Sequence, residues 1–202
     1  MTKNFLLATA TAFALLAAAP SHASIITNGD FETGTLSGWT ATGNVLAVLS
    51  AFSGFTDPAY GQYVALFNTA DTSPTGVLSQ TIATLAGQDY VLTFDYGVYG
   101  PTPSGQSLRA EADDGATTLA FTSAITLSAA TQTFSLAFTA ISGSTTILFT
   151  DFATNDTISQ DGALDNVSVA AVPEPATLTL LGIGAAAMIA GRRKRAGISK
   201  PV

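Results

Sequence analysis

The sequence predicts an all-β sandwich held between two terminal segments of unlike composition. Three observations predict it. Runs of five to eight residues with strand character recur through residues 24–171, the clearest of them alternate with a period of two, and Gly, Ser, Asp, Asn and Pro fill the gaps. No internal helix is expected there, and no repeat of 20–50 residues is visible.

In chain order the runs are Asn44–Leu49, Tyr63–Phe67, Val77–Ile82, Tyr90–Tyr96, Ser107–Ala112, Thr117–Thr122, Gln132–Thr139, Thr145–Thr150 and Leu164–Val169. Tyr90, Leu92, Phe94 and Tyr96 share one face of their run, while Val91, Thr93 and Asp95 take the other. Phe134, Leu136 and Phe138 likewise oppose Ser135, Ala137 and Thr139, so each strand buries one face and wets the other. Thr145–Thr150 is apolar on both faces through Ile147, Leu148 and Phe149, which places it centrally in its sheet. Trp39 follows a turn and is expected in the core.

Charge divides the chain more sharply than hydropathy does. Residues 24–171 carry thirteen carboxylates against Arg109 alone, a net of −12. Such a domain offers no cations to exchange for phosphate counterions, which excludes nucleic acid as a partner. It suits hard divalent cations such as calcium, and its acidity also serves solubility. Cysteine is absent, and the single His, His22, precedes the domain. With no His, Cys or Lys in residues 24–171, Ser-His-Asp triads, thiolate nucleophiles, His-ligated zinc and Schiff-base lysines are excluded. Only Glu32 and Glu111 remain for glutamate chemistry, and Asp113-Asp114-Gly115 reads as a turn, so no enzymatic activity is expected. Asp151, Asp156 and Asp161 recur every five residues without matching an EF-hand loop and read as a polar loop, with a second cation site as the alternative.

Met1–Ala23 reads as a signal peptide. Lys3 supplies the positive start, Phe5–Ala19 the apolar run, and Ser21-His22-Ala23 has small residues at the two positions a signal peptidase inspects, with cleavage expected after Ala23. At the other end Val172-Pro173-Glu174-Pro175 precedes an uncharged run, Ala176–Ala190, and then a basic cluster of Arg192, Arg193, Lys194 and Arg195. The fifteen residues of that run would span about 22 Å as a helix, against a bilayer core of about 30 Å. Length alone suits a buried helix equally well. The basic cluster decides for the membrane, because positive flanks stay cytoplasmic, with residues 196–202 as a cytoplasmic tail.

This end resembles the PEP-CTERM sorting signal of Gram-negative bacteria that make exopolysaccharide. The resemblance covers residues 172–195 and implies a membrane transpeptidase-like partner, the exosortase. That enzyme would recognise Pro173, Glu174 and Pro175 and remove the helix and basic tail. Export across the inner membrane, transient anchoring there, and residence at the cell surface or in a biofilm matrix follow as expectations. A plain anchor that is never processed stays open.

Three phrases carry a second resemblance. Asn28-Gly29-Asp30-Phe31-Glu32 with Leu36-Ser37-Gly38-Trp39 opens the domain, Leu78-Ser79-Gln80-Thr81 leads to Tyr90–Tyr96, and Leu164-Asp165-Asn166-Val167-Ser168-Val169 closes it. Together they resemble the galactose-binding-like jelly rolls, among them carbohydrate-binding modules. The resemblance implies that the first and last strands meet at a sandwich edge around a structural calcium ion. Glu32 and Asp165 would be its ligands, with carbonyls near Asp30 completing the metal set of Asp30, Glu32 and Asp165. Alternatively, Asp30 and Glu32 make turn hydrogen bonds and Asp165 merely starts a strand. Two loops hold aromatic candidates for glycan contact, Tyr60 in Phe52–Tyr60 and Tyr99 in Val98–Gln106; their rings serve equally to cover a core edge. The resulting expectation is a non-catalytic surface protein that binds exopolysaccharide or another glycan. The alternative is a structural protein that assembles with copies of itself and binds no sugar.

Overall fold

The computed structural model describes residues 24–69, 75–99, 106–124, 128–151 and 161–173. The signal-peptide segment, Glu174, Pro175, the uncharged run and the basic cluster lie outside the described residues. Among the described residues there are ten strands: β1 (Thr40–Thr42), β2 (Val45–Leu49), β3 (Tyr63–Phe67), β4 (Val77–Ala83), β5 (Asp89–Tyr99), β6 (Leu108–Asp113), β7 (Thr118–Ala124), β8 (Gln132–Thr139), β9 (Ser144–Asp151) and β10 (Asp161–Ala171). They form two five-stranded antiparallel sheets, in the orders β1-β4-β9-β6-β7 and β2-β3-β10-β5-β8.

Every run expected from the sequence falls on a strand, with Asn44, Ser107 and Thr117 left just outside, and β9 sits at the centre of its sheet. The strand missed is β1, a Thr-Ala-Thr edge strand exposed throughout and without alternation to reveal it. The sequence also missed two 3-10 turns, Ser50–Ser53 and Pro58–Tyr60, between β2 and β3. Asp57 caps the second by accepting the Ala59 amide at 3.0 Å, and Pro58 supplies a pre-set φ at its first position.

The inter-sheet core is aromatic. Tyr90, Leu92, Phe94 and Tyr96 of β5 all point inward. Tyr90 stacks on Phe138 with centroids 5.4 Å apart, and Phe94 meets Phe149 of β9 edge to face at 5.2 Å. Trp39 is buried between Phe31 at 5.8 Å and Phe149 at 6.1 Å, and its indole N–H donates to the Asn28 carbonyl at 3.0 Å.

A second apolar cluster lies outside the second sheet. Phe55 and Tyr60 of the β2–β3 connector fold across the outer faces of β3 and β10, covering Val64, Leu66 and Ala163. Strand β3 is therefore buried on both faces, which explains why it reads as a continuous apolar run rather than an alternating one. Gly97 of β5 makes this possible, because a Cβ there would occupy the position of the Tyr60 hydroxyl. Burying Phe55 and Tyr60 contributes roughly 2–3 kcal/mol each.

Candidate functional site

The opening segment of the sandwich domain, residues 25–29, is fastened to the last strand. The Ile25 amide donates to the Val169 carbonyl at 3.0 Å, and the Val167 amide to the Gly29 carbonyl at 2.8 Å. Gly29 is required for this approach, since a Cβ would collide with the Val167 carbonyl. From the other sheet, the Gln80 side chain pairs with both backbone groups of Thr27, accepting at 2.7 Å and donating at 2.9 Å. The two ends of the sandwich domain thus meet as the resemblance implied, but at β10 in the middle of its sheet and not at an edge.

Backbone strain collects at this junction. Asn28 (φ 50°), Phe31 (φ 52°) and Asn166 (φ 50°) are three of the four described non-glycine residues with positive φ. For a bulky residue such as Phe31 that conformation costs of order 1–3 kcal/mol and persists only where its surroundings over-determine it. Asn28 is braced by its own amide, which donates to the carbonyls of Thr35 at 2.9 Å and Ser37 at 3.0 Å. Phe31, fully buried, turns Glu32 back toward the second sheet. The Glu32 Oε1 there accepts the amides of Gln62 at 2.8 Å and Tyr63 at 3.0 Å.

Asp165 is the site's unusual group. It is 1% exposed, and its register partner across β5 is another acid, Asp95. A bulge follows at Asp165–Ser168, and Asn166 bridges the pair's surroundings by donating to Asp95 Oδ2 at 2.9 Å and to the Ala59 carbonyl at 2.8 Å. Burial pushes the Asp165 carboxyl up to about 8, with the charges of Glu32, Asp95 and Asp30 adding to the shift and the Asn166 amide opposing it. Arg109, the one base in residues 24–171, sits in the other sheet and is paired with Glu111. Only a proton or an external cation can neutralise Asp165. An ion there would find two of the expected acids, Glu32 and Asp165, at the junction of the opening segment with β10. Among the described residues no three carboxylates gather as a cage, so such an ion would draw further oxygens from the backbone. Asp30 is exposed, and its Oδ1 accepts the Glu32 amide in a long 3.4 Å contact.

One pH effect follows directly. Between the ordinary Asp value of 3.8 and about 8 the folded chain holds a proton on Asp165 that the unfolded chain has released. In chelator, stability should therefore fall as pH rises through that window, by at most about 1.4 kcal/mol per pH unit. Thermal melts between about pH 5 and pH 8 check this; a melting temperature that climbs with pH would contradict it.

The aromatic candidates separate. Tyr60 cannot contact a glycan: it is 0% exposed, and burial followed by the charges of Asp95, Asp57 and Asp165 raises its hydroxyl pKa. Its ring belongs to the second apolar cluster, packing against Phe55 at 5.4 Å. Tyr99 is half-exposed at the end of β5, with its ring over Gly54 and 6.2 Å from Phe55.

A third group lies on the outer face of the first sheet, where the spacing of Arg109 and Glu111 in the sequence already suggests a surface pair but does not reveal Phe121 beside it. Ser79, Leu148, Glu111 and Phe121 stand in register across β4, β9, β6 and β7. In the adjacent row Arg109 lies between Thr150 and Ser123. The Arg109 guanidinium lies 4.3 Å from the Phe121 ring centroid and 2.5 Å from Glu111 Oε1, while Phe121 itself is 60% exposed. The signal available was the outward phase of Phe121 in β7, but without the β6–β7 register nothing placed it beside Arg109.

Comparison with known proteins agrees with this architecture. The PEP-CTERM protein-sorting motif matches residues 171–195, so the chain carries that signal. No curated protein matches it in sequence. Among solved structures, TmCBM61 in complex with beta-1,4-galactotriose is 21% identical, with a TM-score of 0.55 over 72% of this chain and 97% of that one. The Stig cyclase Fisc from Fischerella sp. TAU is also 21% identical, with a TM-score of 0.59 over 77% of this chain and 100% of that one. The MgGH51 α-L-arabinofuranosidase is 13% identical, with a TM-score of 0.53 over 74% of this chain and 26% of that one. The fold is a jelly-roll β-sandwich, shared with TmCBM61 and with the cyclase Fisc.

Proposed function

We propose that the chain is an exported, non-catalytic glycan-binding protein, handed to an exosortase through its C-terminal signal. A jelly roll that calcium pins at its chain ends would do the binding. The observation that carries the binding reading is the exposed Phe121 ring beside Arg109 on a hydroxyl-bearing sheet face. Sugars present apolar C–H faces and rings of hydroxyls, which a ring and fixed polar groups match. Phe121 offers the platform. Arg109, held by the ring and by Glu111, offers N–H donors already fixed in direction, so little freedom is lost on binding. Ser79, Thr150 and Ser123 line the same face, which spans three inter-strand spacings or about 14 Å.

Calcium belongs to the opposite sheet in this reading. Glu32 and Asp165 would hold it, with backbone carbonyls near Asp30, and it would supply the positive charge that Asp165, Asp95 and Glu32 lack. Its role is to lock the opening segment onto β10.

The sorting half is tested by intact mass of the protein recovered from cells with and without the sorting enzyme. The expected result is a chain shortened within residues 172–176 only where the enzyme is present. Full-length chain in both would overturn it.

A further inference from the structure

We infer that the end of the sandwich from which β10 exits is a lipid-contacting surface, with Leu85 and Ile141 seated in the headgroup layer of the bilayer that receives the C-terminal run. This rests on the reading that residues 176–190 enter a membrane.

The β4–β5 turn and the β8–β9 turn are hydrogen-bonded into one platform. The Thr84 amide donates to the Gly143 carbonyl at 3.1 Å, the Gly87 amide to Ala140 at 2.7 Å, and the Ala140 amide to Gln88 at 3.0 Å. Turn tips ordinarily carry Gly, Asn, Asp or Ser. Here each tip displays a large aliphatic side chain instead, Leu85 at 70% exposure and Ile141 at 56%, and neither belongs to the core.

Val172 leaves the fold at this same end and is itself partly exposed. Its amide donates to the Asp89 carbonyl at 2.8 Å, and its carbonyl accepts from Gln88 Nε2 at 2.7 Å. The folded part therefore extends to the first residue of the Val-Pro-Glu-Pro phrase, with no spacer. From Val172 to Ala176 there are four Cα–Cα steps, a reach of about 14 Å at most. A headgroup layer is about 5–8 Å thick on each side of the hydrocarbon. While the run is inserted, the platform cannot leave the neighbourhood of lipid.

The contact is apolar in kind. No Lys or Arg lies in either turn, and the nearby Asp89 accepts from the Thr139 hydroxyl at 2.5 Å. The β6–β7 turn at this end carries Asp113 and Asp114. Attraction to anionic headgroups is absent, and added salt should not release the surface.

The chain has no cysteine, so single-cysteine variants report cleanly. Full-length Leu85→Cys, Ile141→Cys and Phe52→Cys chains, each carrying a polarity-sensitive fluorophore, would be reconstituted into phosphatidylethanolamine–phosphatidylglycerol vesicles. Phe52 is the control: it is 89% exposed, on the connector that packs by Tyr99. Tyr99 and Asp89 are the opposite ends of β5, about 33 Å apart. On reconstitution, emission at 85 and 141 should shift to the blue and quenching by a neutral aqueous quencher should drop severalfold, at low and high salt alike. Position 52 should not change. Adding Leu85→Asn to the 141-labelled chain should restore part of its quenching. Chains that float with the vesicles while all three positions quench equally would overturn the inference and leave the anchoring intact. Chains that do not float would overturn the anchoring itself, and the inference with it.

Discussion

Replacing Asp165 with Asn is expected to invert the response of the domain to calcium. In chelator near neutral pH the variant should be the more stable of the two, by about 2 kcal/mol after allowing for solvent screening. The reason is that wild type must hold a proton on a buried carboxyl facing Asp95, with Glu32 and Asp30 adding to the repulsion. Asn keeps the shape and removes the charge problem. In calcium the order should reverse. On the proposed calcium reading, wild type should gain about 2.7 kcal/mol at a free ion concentration one hundred times its Kd, whereas the variant would lack an anionic ligand and gain little. Glu32→Gln separates the ligand's two duties. Its Oε1 can still accept the Gln62 and Tyr63 amides, so the metal-free fold should survive while the calcium response weakens. Melting curves of the three proteins, with chelator and with calcium, check the crossing. Curves that remain parallel in both conditions would show that Asp165 holds no ion.

Phe121→Ala is expected to lower glycan affinity by tenfold or more, about 1.4 kcal/mol, with the melting temperature nearly unchanged. The ring is 60% exposed and its loss opens no core cavity, so a binding defect would not be a folding defect in disguise. Arg109→Lys adds a finer test. The charge survives, but the planar fork held between Phe121 and Glu111 does not, and binding should weaken although the formal charge is the same. Affinity electrophoresis through polysaccharide reads both variants. Unchanged mobility for Phe121→Ala would remove this face from the account.

Sequence alone carried the architecture because the second-sheet strands that dominate the core alternate cleanly. Tyr90–Tyr96 and Gln132–Thr139 announce their buried faces by residue type. What it could not carry was anything set by register between distant strands. Asp165 and Asp95 face each other only because β10 pairs with β5, seventy residues away in the chain. Phe121 meets Arg109 only because β6 and β7 pair with a shift at Ala112–Asp113. Tyr60 failed as a glycan contact for a related reason. Its loop has the Gly- and Pro-containing composition of an exposed segment, yet Gly97, thirty-seven residues on, leaves the space that lets the ring turn inward. The sorting phrase was plain because its parts are contiguous, although its junction with the fold, the Gln88 clamp on Val172, was not.

The most direct test of the whole account is a glycan array of neutral and uronic-acid-containing oligosaccharides, probed with the calcium-loaded protein beside its Phe121→Ala variant. The account predicts a restricted set of sugars bound by wild type and lost in the variant. A blank array for calcium-loaded wild type, or the same pattern from both proteins, would contradict it.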